Sequence, residues 1–396
     1  MFFFIILFLY CSLSVLYLFF LSFSGKFFFK AKKWNTPSPL PPLKRIAILV
    51  PAYKEDNVIL FTADNLLQLD YPREAYDIYI IADSFGDSTL QELKKLPLYV
   101  HEVSFENSTK TKSLNEAFRR IDKPYDIALI CDGDNMLSKD FLKKTNEAFM
   151  GGAKAIQGKR VAKNLDTSFA VLDACSEAMN NHIFRKGANA LHLSSPICGS
   201  GMAFEFSTAK KTLAGIDAVG GFDKILQLKM VKQNIFVHYL EHALIFDEKV
   251  DSSSAFGQQR KRWISTQLIY ARQYFFPAFR ELFRGNFSYF NLAFANYSVL
   301  PKAFLLAILP LLILGGFLIG PHWGIAATVL WVVYVLCLGM AMPQALVNSD
   351  LLHAVLSLPR AISLMFGALF QFRKADERFI HTPHTKTGIT NPAKER

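Results

Sequence analysis

Two long stretches of the chain carry no charge. Met1 to Ser24 has no charged side chain, and from Ala303 to Ser349 there is again no Asp, Glu, Lys or Arg. At 1.5 Å per helical residue the first run is long enough to cross a hydrocarbon core, and Lys26, Lys30, Lys32 and Lys33 follow it as a basic flank. It reads as a transmembrane helix over 1–24. A cleaved signal peptide would have a basic segment before the apolar run and a small-residue cleavage site after it, and neither is present. The sequence GPHWG at 320–324 breaks the second run with a turn signature. That predicts two spans, about 303–319 and 323–343, within the region 298–343. A further apolar stretch, 351–372, contains Pro359 and Arg360, so it reads as an interfacial or third membrane segment, with a tail over 373–396.

Between these belts the pattern changes. After a basic and Pro-rich linker at 25–44, which includes PSPLPP, the segments RIAILVPAY (45–53), YDIYIIAD (76–83), LYVHEVSF (98–105) and DIALICD (126–132) read as strands. The segments at 56–69, 88–96 and 112–121 carry apolar residues at helical spacing. Alternating strands and helices predict an α/β domain over 45–270, with a Rossmann-like, mainly parallel sheet covered on both faces. YLEHALIFDEKV (239–250) reads as a hairpin-like pair of β-rich runs, and the stretch 256–275 as a helix within an interfacial amphipathic region, 256–285.

Composition sharpens the membrane reading, since the chain is 51% hydrophobic and contains 37 Phe. The net charge of +11 does not argue for nucleic acid, because the basic clusters Lys26–Lys33, Arg260–Arg262 and Arg373–Lys374 flank apolar segments. The positive-inside rule then predicts a multi-pass integral membrane protein with its globular domain in the cytoplasm and membrane lipid as a partner. Five cysteines without paired spacing imply neither a disulfide frame nor a zinc site.

The candidate chemistry sits at strand ends. Asp83 and Asp132 each follow an apolar strand, and in parallel sheets ligands collect beyond the carboxyl ends of strands. CDGDN (131–135) adds Asp134 two positions on. Two such carboxylates suit Mg²⁺ or Mn²⁺ bridged to a diphosphate, although DGDN is also ordinary turn chemistry.

The ordered set VPAYKED (50–56), IADSFGDST (81–89), TKTKSLNEAF (109–118), CDGDN, CGSGMAF (198–204), GGFD (220–223) and QQRKRW (258–263) resembles the membrane-associated family-two glycosyltransferases, the group that includes cellulose, chitin and hyaluronan synthases. The resemblance implies a GT-A-like domain that transfers a sugar, with inversion, from a nucleotide donor (UDP-sugars favoured) to a polysaccharide or lipid-linked acceptor. It also implies roles. Pro51, Ala52, Tyr53, Glu55 and Asp83 would hold the base and ribose, Lys112 would offset phosphate charge, and Asp132 with Asp134 would hold the diphosphate and metal. Gly199, Ser200 and Gly201 would wall the acceptor, while Gln259, Arg262 and Trp263 would meet the diphosphate and a sugar or base, Trp263 serving the acceptor as well.

The catalytic base implied by the resemblance is Asp223. Its expected acidic neighbour is Phe222 here, and Ile225 and Gln227 stand where relatives often carry Glu. Glu241 and Glu248 are the fallback candidates for the base. The departure also leaves open a second reading, a catalytically impaired, nucleotide-binding scaffold protein of the same fold.

Overall fold

The computed structural model of the protein describes residues 1–34, 43–218, 220–370 and 384–390. Most of the linker, 35–42, and much of the tail lie outside the described residues. The chain forms two compact units. One comprises Met1–Lys30, Thr167–Leu193 and Ser252–Phe372, and the other Ala31–Asp166, Ser194–Asp251 and Arg373–Arg396.

In chain order, helix α1 (Phe2–Phe27) precedes β1 (Ile46–Tyr53), α2 (Ile59–Leu67), β2 (Tyr76–Asp83), α3 (Asp87–Lys94), β3 (Tyr99–Val103) and α4 (Lys110–Arg120). Next come β4 (Ile127–Ile130), β5 (Met136–Leu137), α5 (Phe141–Met150), β6 (Ala155–Ala162) and α6 (Ser168–Asn180). After a π-helical turn at Asn181–Gly187 the chain runs through β7 (Met202–Glu205), α7 (Phe206–Ala214), α8 (Phe222–Lys232), β8 (Val237–Asp247), α9 (Ser253–Gln273) and α10 (Phe275–Phe283). Helices α11 (Lys302–Ile319), α12 (Pro321–Ala341), α13 (Ser349–Val355) and α14 (Leu358–Phe370) complete it.

The second unit is built on one mixed sheet of eight strands in the order β3-β2-β1-β4-β7-β6-β8-β5. Strand β1 shows why its sequence is almost continuously apolar. Ile46, Ile48, Val50 and Ala52 face a core with Ile59, Ala63 and Leu66 of α2. Ala47 and Leu49 face a separate core with Leu114, Ala117 and Phe118 of α4. A strand buried on both faces has no polar side to alternate with. Strands β3, β2, β1 and β4 pair in parallel. Strand β7 then runs antiparallel to both β4 and β6. That reversal sets the beginning of β7 beside the carboxyl end of β4, where Ile130 pairs with Met202.

The stretch read as a hairpin-like pair, 239–250, is instead the single strand β8. Its pairing with β6 jumps from Leu240 opposite Gly158 to Leu244 opposite Lys159. The polar Glu241 and His242 at that irregularity imitate a turn in the linear sequence.

The first unit contains three helices long and apolar enough to cross a membrane, α1, α11 and α12, with mean hydropathies of 2.5, 2.4 and 2.2. Phe4 and Phe8 of α1 meet the Trp323 ring edge-on at 5.8 and 5.6 Å, and Ser22 Oγ donates to Cys337 O at 2.9 Å, so α1 and α12 run side by side in the same direction. Helices α11 and α12 turn back on each other at Gly320–Pro321, where a Cβ on Gly316 would lie 2.9 Å from Trp323 and Gly324 backbone. Of the stretch 351–372, the described residues to Phe370 fall in α13 and α14, broken near Leu356–Ser357. At seven and 13 residues, neither helix has the length of a span.

Candidate functional site

The carboxyl edge of the parallel strands gathers the polar groups of the second unit. Tyr53 and Asp83 end neighbouring strands in register. Beyond β4, the DGD turn folds back over β1, and Gly133 makes this possible, since a Cβ there would lie 2.8 Å from the Cβ of Ala52. Thr62 of α2 donates to Gly133 O at 2.8 Å and fixes the turn from the other side.

Asp83 is 1% exposed. Its Oδ1 accepts from Ser84 Oγ at 2.9 Å, whereas Oδ2 is buried without a hydrogen-bond partner among the described residues. Leaving a carboxylate oxygen unmatched in the interior is costly unless a ligand donates to it. Tyr53 is half-buried, while Pro51, Ala52 and Glu55 are buried beside it.

Asp132 forms a close ion pair with Lys110, whose ammonium also donates to Gly199 O at 2.8 Å. Burial and the neighbouring Asp134 carboxylate raise the Asp132 pKa against the pull of Lys110. The backbone N–H of Asp132 donates to Ser200 Oγ at 3.0 Å, and Ser200 Oγ donates to Asn135 Oδ1 at 2.5 Å. The Gly199–Gly201 segment is thereby tied to the DGD turn. Gly199 and Gly201 have φ of +85° and +59°, the left-handed region that glycine tolerates.

Beneath the turn lies a charged support. Lys163 is fully buried and its ammonium donates to Asp134 O at 2.9 Å. Asn135 Nδ2 donates to Asp134 Oδ2 at 3.0 Å and to Asp247 Oδ1 at 3.2 Å. Burial pushes the Asp247 pKa up, but Arg160 at 2.6 Å and Lys249 at 2.7 Å pull it down and keep the carboxylate ionised.

The Lys112 ammonium donates to Asn107 O at 2.8 Å rather than to these carboxylates. The helix begins earlier than the apolar spacing suggested. Thr109 caps it by accepting from Lys112 N, which puts Lys110 in the first turn, and it is Lys110 that reaches Asp132. Asp223 lies in the first turn of α8, after Gly221 at φ +65°, with Lys224 Nζ 3.6 Å away. The adjacent Phe222 ring lies 5.4 Å from Lys110 Nζ.

His384 was overlooked in the sequence because it belongs to a polar tail, 329 residues along the chain from its partner Glu55. Its Nδ1 is 2.9 Å from Glu55 Oε1 and its Nε2 3.9 Å from Asp134 Oδ2. Thr385 and Lys386 N–H groups donate to the Glu248 carboxylate at 3.1 and 2.9 Å, and Thr390 N–H donates to Lys163 O at 2.9 Å. Burial disfavours charge on His384, but Asp134, Glu55 and Glu248 outweigh it and raise its pKa to about 10. The carboxylates around His384 favour positive charge there, and a metal cation would meet the same field.

Among the described residues no three ligand-type side chains close around one point. The fit is of another kind. Asp134 and Asp132 offer carboxylate oxygens, His384 would offer an imidazole nitrogen once a cation displaced its proton, and Mg²⁺ or Mn²⁺ takes few protein ligands when phosphate oxygens complete its shell.

Gln259, Arg262 and Trp263 belong to the first unit, on α9. Trp263 is 40% exposed, and the guanidinium of Arg260 lies 4.3 Å from its ring. Arg260 itself is buried in an ion pair with Asp173, so it is not one of the headgroup-facing charges that its place in a basic cluster suggested. Gln259 Oε1 is buried without a hydrogen-bond partner among the described residues, and burial lowers the Arg262 pKa.

Residues 41–266, more than half of the chain, match the family described as "Glycosyltransferase like family 2". The chain belongs to this family. Within glycosyltransferase-like family 2 its sequence is similar to the probable glycosyltransferase YdaM of Bacillus subtilis (strain 168), 22% identical over 245 residues. That match covers 58% of this chain and 56% of the relative, so the chain spans little more than half of YdaM. The fold is similar to that of the mannosyltransferase PcManGT from Pyrobaculum calidifontis, solved with GDP-Man and Mn²⁺. There the TM-score is 0.52 at 16% identity, over 93% of this chain and 96% of the other. The architecture is thus the GT-A-like mixed α/β fold.

Proposed function

We propose that the protein is an inverting, metal-dependent glycosyltransferase, integral to the membrane, with its catalytic unit at the cytoplasmic face, moving a sugar from a nucleotide donor to a polysaccharide or lipid-linked acceptor. The observation that supports this most directly is the buried, unmatched Oδ2 of Asp83 at the same sheet edge as Asp132 and Asp134. A nucleobase N–H, such as the imide of uracil, supplies the missing donor. PcManGT was solved with a guanosine nucleotide, and guanine offers similar N–H groups, so both donor classes belong in the test.

In this reading Tyr53, Glu55 and Asp83 orient the nucleoside, and Lys110 brings positive charge to the diphosphate side of Asp132. Asp134, Asp132 and His384 would hold Mg²⁺ or Mn²⁺, which when bound supplies Lewis-acid neutralisation of the departing diphosphate. The Gly199–Gly201 segment walls the acceptor. Asp223 takes the proton of the acceptor hydroxyl as its oxygen bonds to the anomeric carbon and the bond to the diphosphate oxygen breaks. The lysines at 26, 30, 32 and 33 favour the cytoplasmic orientation.

The direct test is nucleoside-diphosphate release by the full chain over a panel of UDP- and GDP-sugars with Mn²⁺ or Mg²⁺. Turnover is expected with a subset of donors and is expected to stop on chelation. Neither binding nor release for any donor, with either metal, would reject the proposal. In the same assay Asp83→Ala is expected to raise the donor KM about tenfold to hundredfold with little change in kcat, the size of a lost hydrogen bond to a charged group.

A further inference from the structure

The segment Gly199–Gly201, assigned to the acceptor wall, continues back to Ile197 as buried backbone that belongs to no helix or strand. Irregular backbone in the interior has no ladder to satisfy its polar groups, so side chains must do it. Here three buried amides from three different places do so. Gln157 of β6 is fully buried, its Nε2 donates to Ser200 O at 3.0 Å and Gly201 O at 3.3 Å, and its Oε1 accepts from Cys198 N–H at 3.0 Å. Asn135 of the DGD turn, also fully buried, accepts from Ser200 Oγ. Gln227 of α8 is 1% exposed, and its Oε1 accepts from Ile197 N–H at 3.1 Å.

Each amide fits in one orientation only. Turned over, Gln157 would aim its NH₂ at Cys198 N–H, and Asn135 would aim its oxygen at the carboxylates of Asp134 and Asp247. Gln227 turned over would set its NH₂ against Ile197 N–H.

Gln227 stands where relatives often carry Glu. It lies four residues after Asp223 on α8, so the two share a helix face one turn apart. At the start of the same helix the Phe222 ring lies 3.9 Å from the position of a Cβ on Gly199. The helix that carries Asp223 thus meets the wall twice, once through an apolar ring and once through the Gln227–Ile197 hydrogen bond. A carboxylate at 227 would also accept that N–H, but it would bring a second negative charge to the face of Asp223. The amide fixes the wall without that charge.

We infer that Gln227 is a positioning residue for the transfer step: through Ile197 it holds the acceptor wall at a set distance from Asp223, while Gln157 and Asn135 secure the same wall to the sheet and to the DGD turn. The inference rests on the glycosyltransferase reading with Asp223 as base.

The test pairs amide hydrogen exchange with kinetics in the full-length chain. Gln227→Met keeps the length of the side chain and removes the acceptor oxygen. It is expected to speed exchange in peptides covering residues 195–201 about tenfold, the size of one lost hydrogen bond, with exchange in β1 and β4 unchanged. In the transfer assay it is expected to lower kcat about tenfold to hundredfold and to raise the acceptor KM, with the donor KM within about twofold of the parent. Gln227→Glu retains an oxygen for Ile197 N–H and is expected to keep the slow exchange. Gln233→Met alters an exposed amide just past the end of α8, whose Nε2 donates to Lys229 O, and is expected to match the parent in both measurements. Unchanged exchange in Gln227→Met would overturn the proposal, as would faster exchange with unchanged transfer, or a rise in donor KM as large as that in acceptor KM. Faster exchange in a chain that binds and turns over no nucleotide sugar would reject the glycosyltransferase reading, and with it a role in transfer, while supporting the link between Gln227 and the wall.

Discussion

Asp134→Asn is expected to lower sugar transfer by about a thousandfold or more, roughly 4 kcal/mol of transition-state stabilisation, while leaving the protein folded. The carboxylate is 5% exposed, and its hydrogen bond to a side chain comes from Asn135 Nδ2. The Lys163 ammonium that supports the turn bonds to the backbone oxygen of Asp134, which the substitution retains. Asparagine thus preserves shape and removes charge where Glu55, Asp132 and His384 converge. Circular dichroism should show unchanged helix content, and titration with Mn²⁺ in the presence of nucleoside diphosphate should show weakened binding. Transfer within about threefold of the parent at every metal concentration would exclude Asp134 as a metal-holding group.

How far the sequence discloses this site depends on the distance over which each residue is placed. The strand ends were legible, because a doubly buried strand writes an apolar run whose end is its last residue, and Asp83 and Asp132 follow from that alone. The choice of lysine turned on two positions at a helix start. Apolar spacing begins the helix near residue 112, but Thr109 caps it, and in a helix two residues rotate a side chain by about 200°. Lys110 and Lys112 therefore point to different surroundings, and a Thr followed by polar residues was the available signal.

His384 had no such signal. Its partners Glu55 and Asp134 come from the beginning and middle of the second unit, and a histidine in a polar tail has no periodicity that assigns it a face. Arg260 failed for a related reason. Its place in a basic cluster suggested a lipid-facing charge, but its ion pair with Asp173, 87 residues away, is a tertiary fact. The mixed character of the sheet was likewise hidden, since β7 and β5 have only four and two residues. Strands so short leave almost no pattern, yet the antiparallel β7 is what brings Gly199–Gly201 to the DGD turn.

Asp223→Asn is expected to lower kcat by about a hundredfold to ten-thousandfold, the range for loss of a positioned general base, while the affinity for nucleoside diphosphate changes by less than about threefold. The expectation rests on placement. Phe222 packs against Lys110, which bonds both Asp132 and Gly199 O, so Asp223, in the first turn of α8, follows directly on a residue beside the groups assigned to the leaving diphosphate and the acceptor wall. The fallback carboxylates have other surroundings. Glu248 accepts the backbone N–H groups of Thr385 and Lys386 and so anchors the segment that carries His384, while Glu241 lies at the irregularity of β8. A base must be available to the acceptor hydroxyl, and a carboxylate that anchors another segment through two backbone donors is less free to turn toward it. The paired measurement separates three outcomes. Lost transfer with retained nucleotide binding assigns the base to Asp223 and rejects the impaired-scaffold reading. Unchanged transfer moves the base elsewhere, with Glu241→Gln as the next variant. Metal-dependent nucleotide binding with no product from the unsubstituted chain, across the donor and acceptor panel, favours the scaffold, because Phe222, Ile225 and Gln227 have then removed the acidic surroundings on which turnover depends.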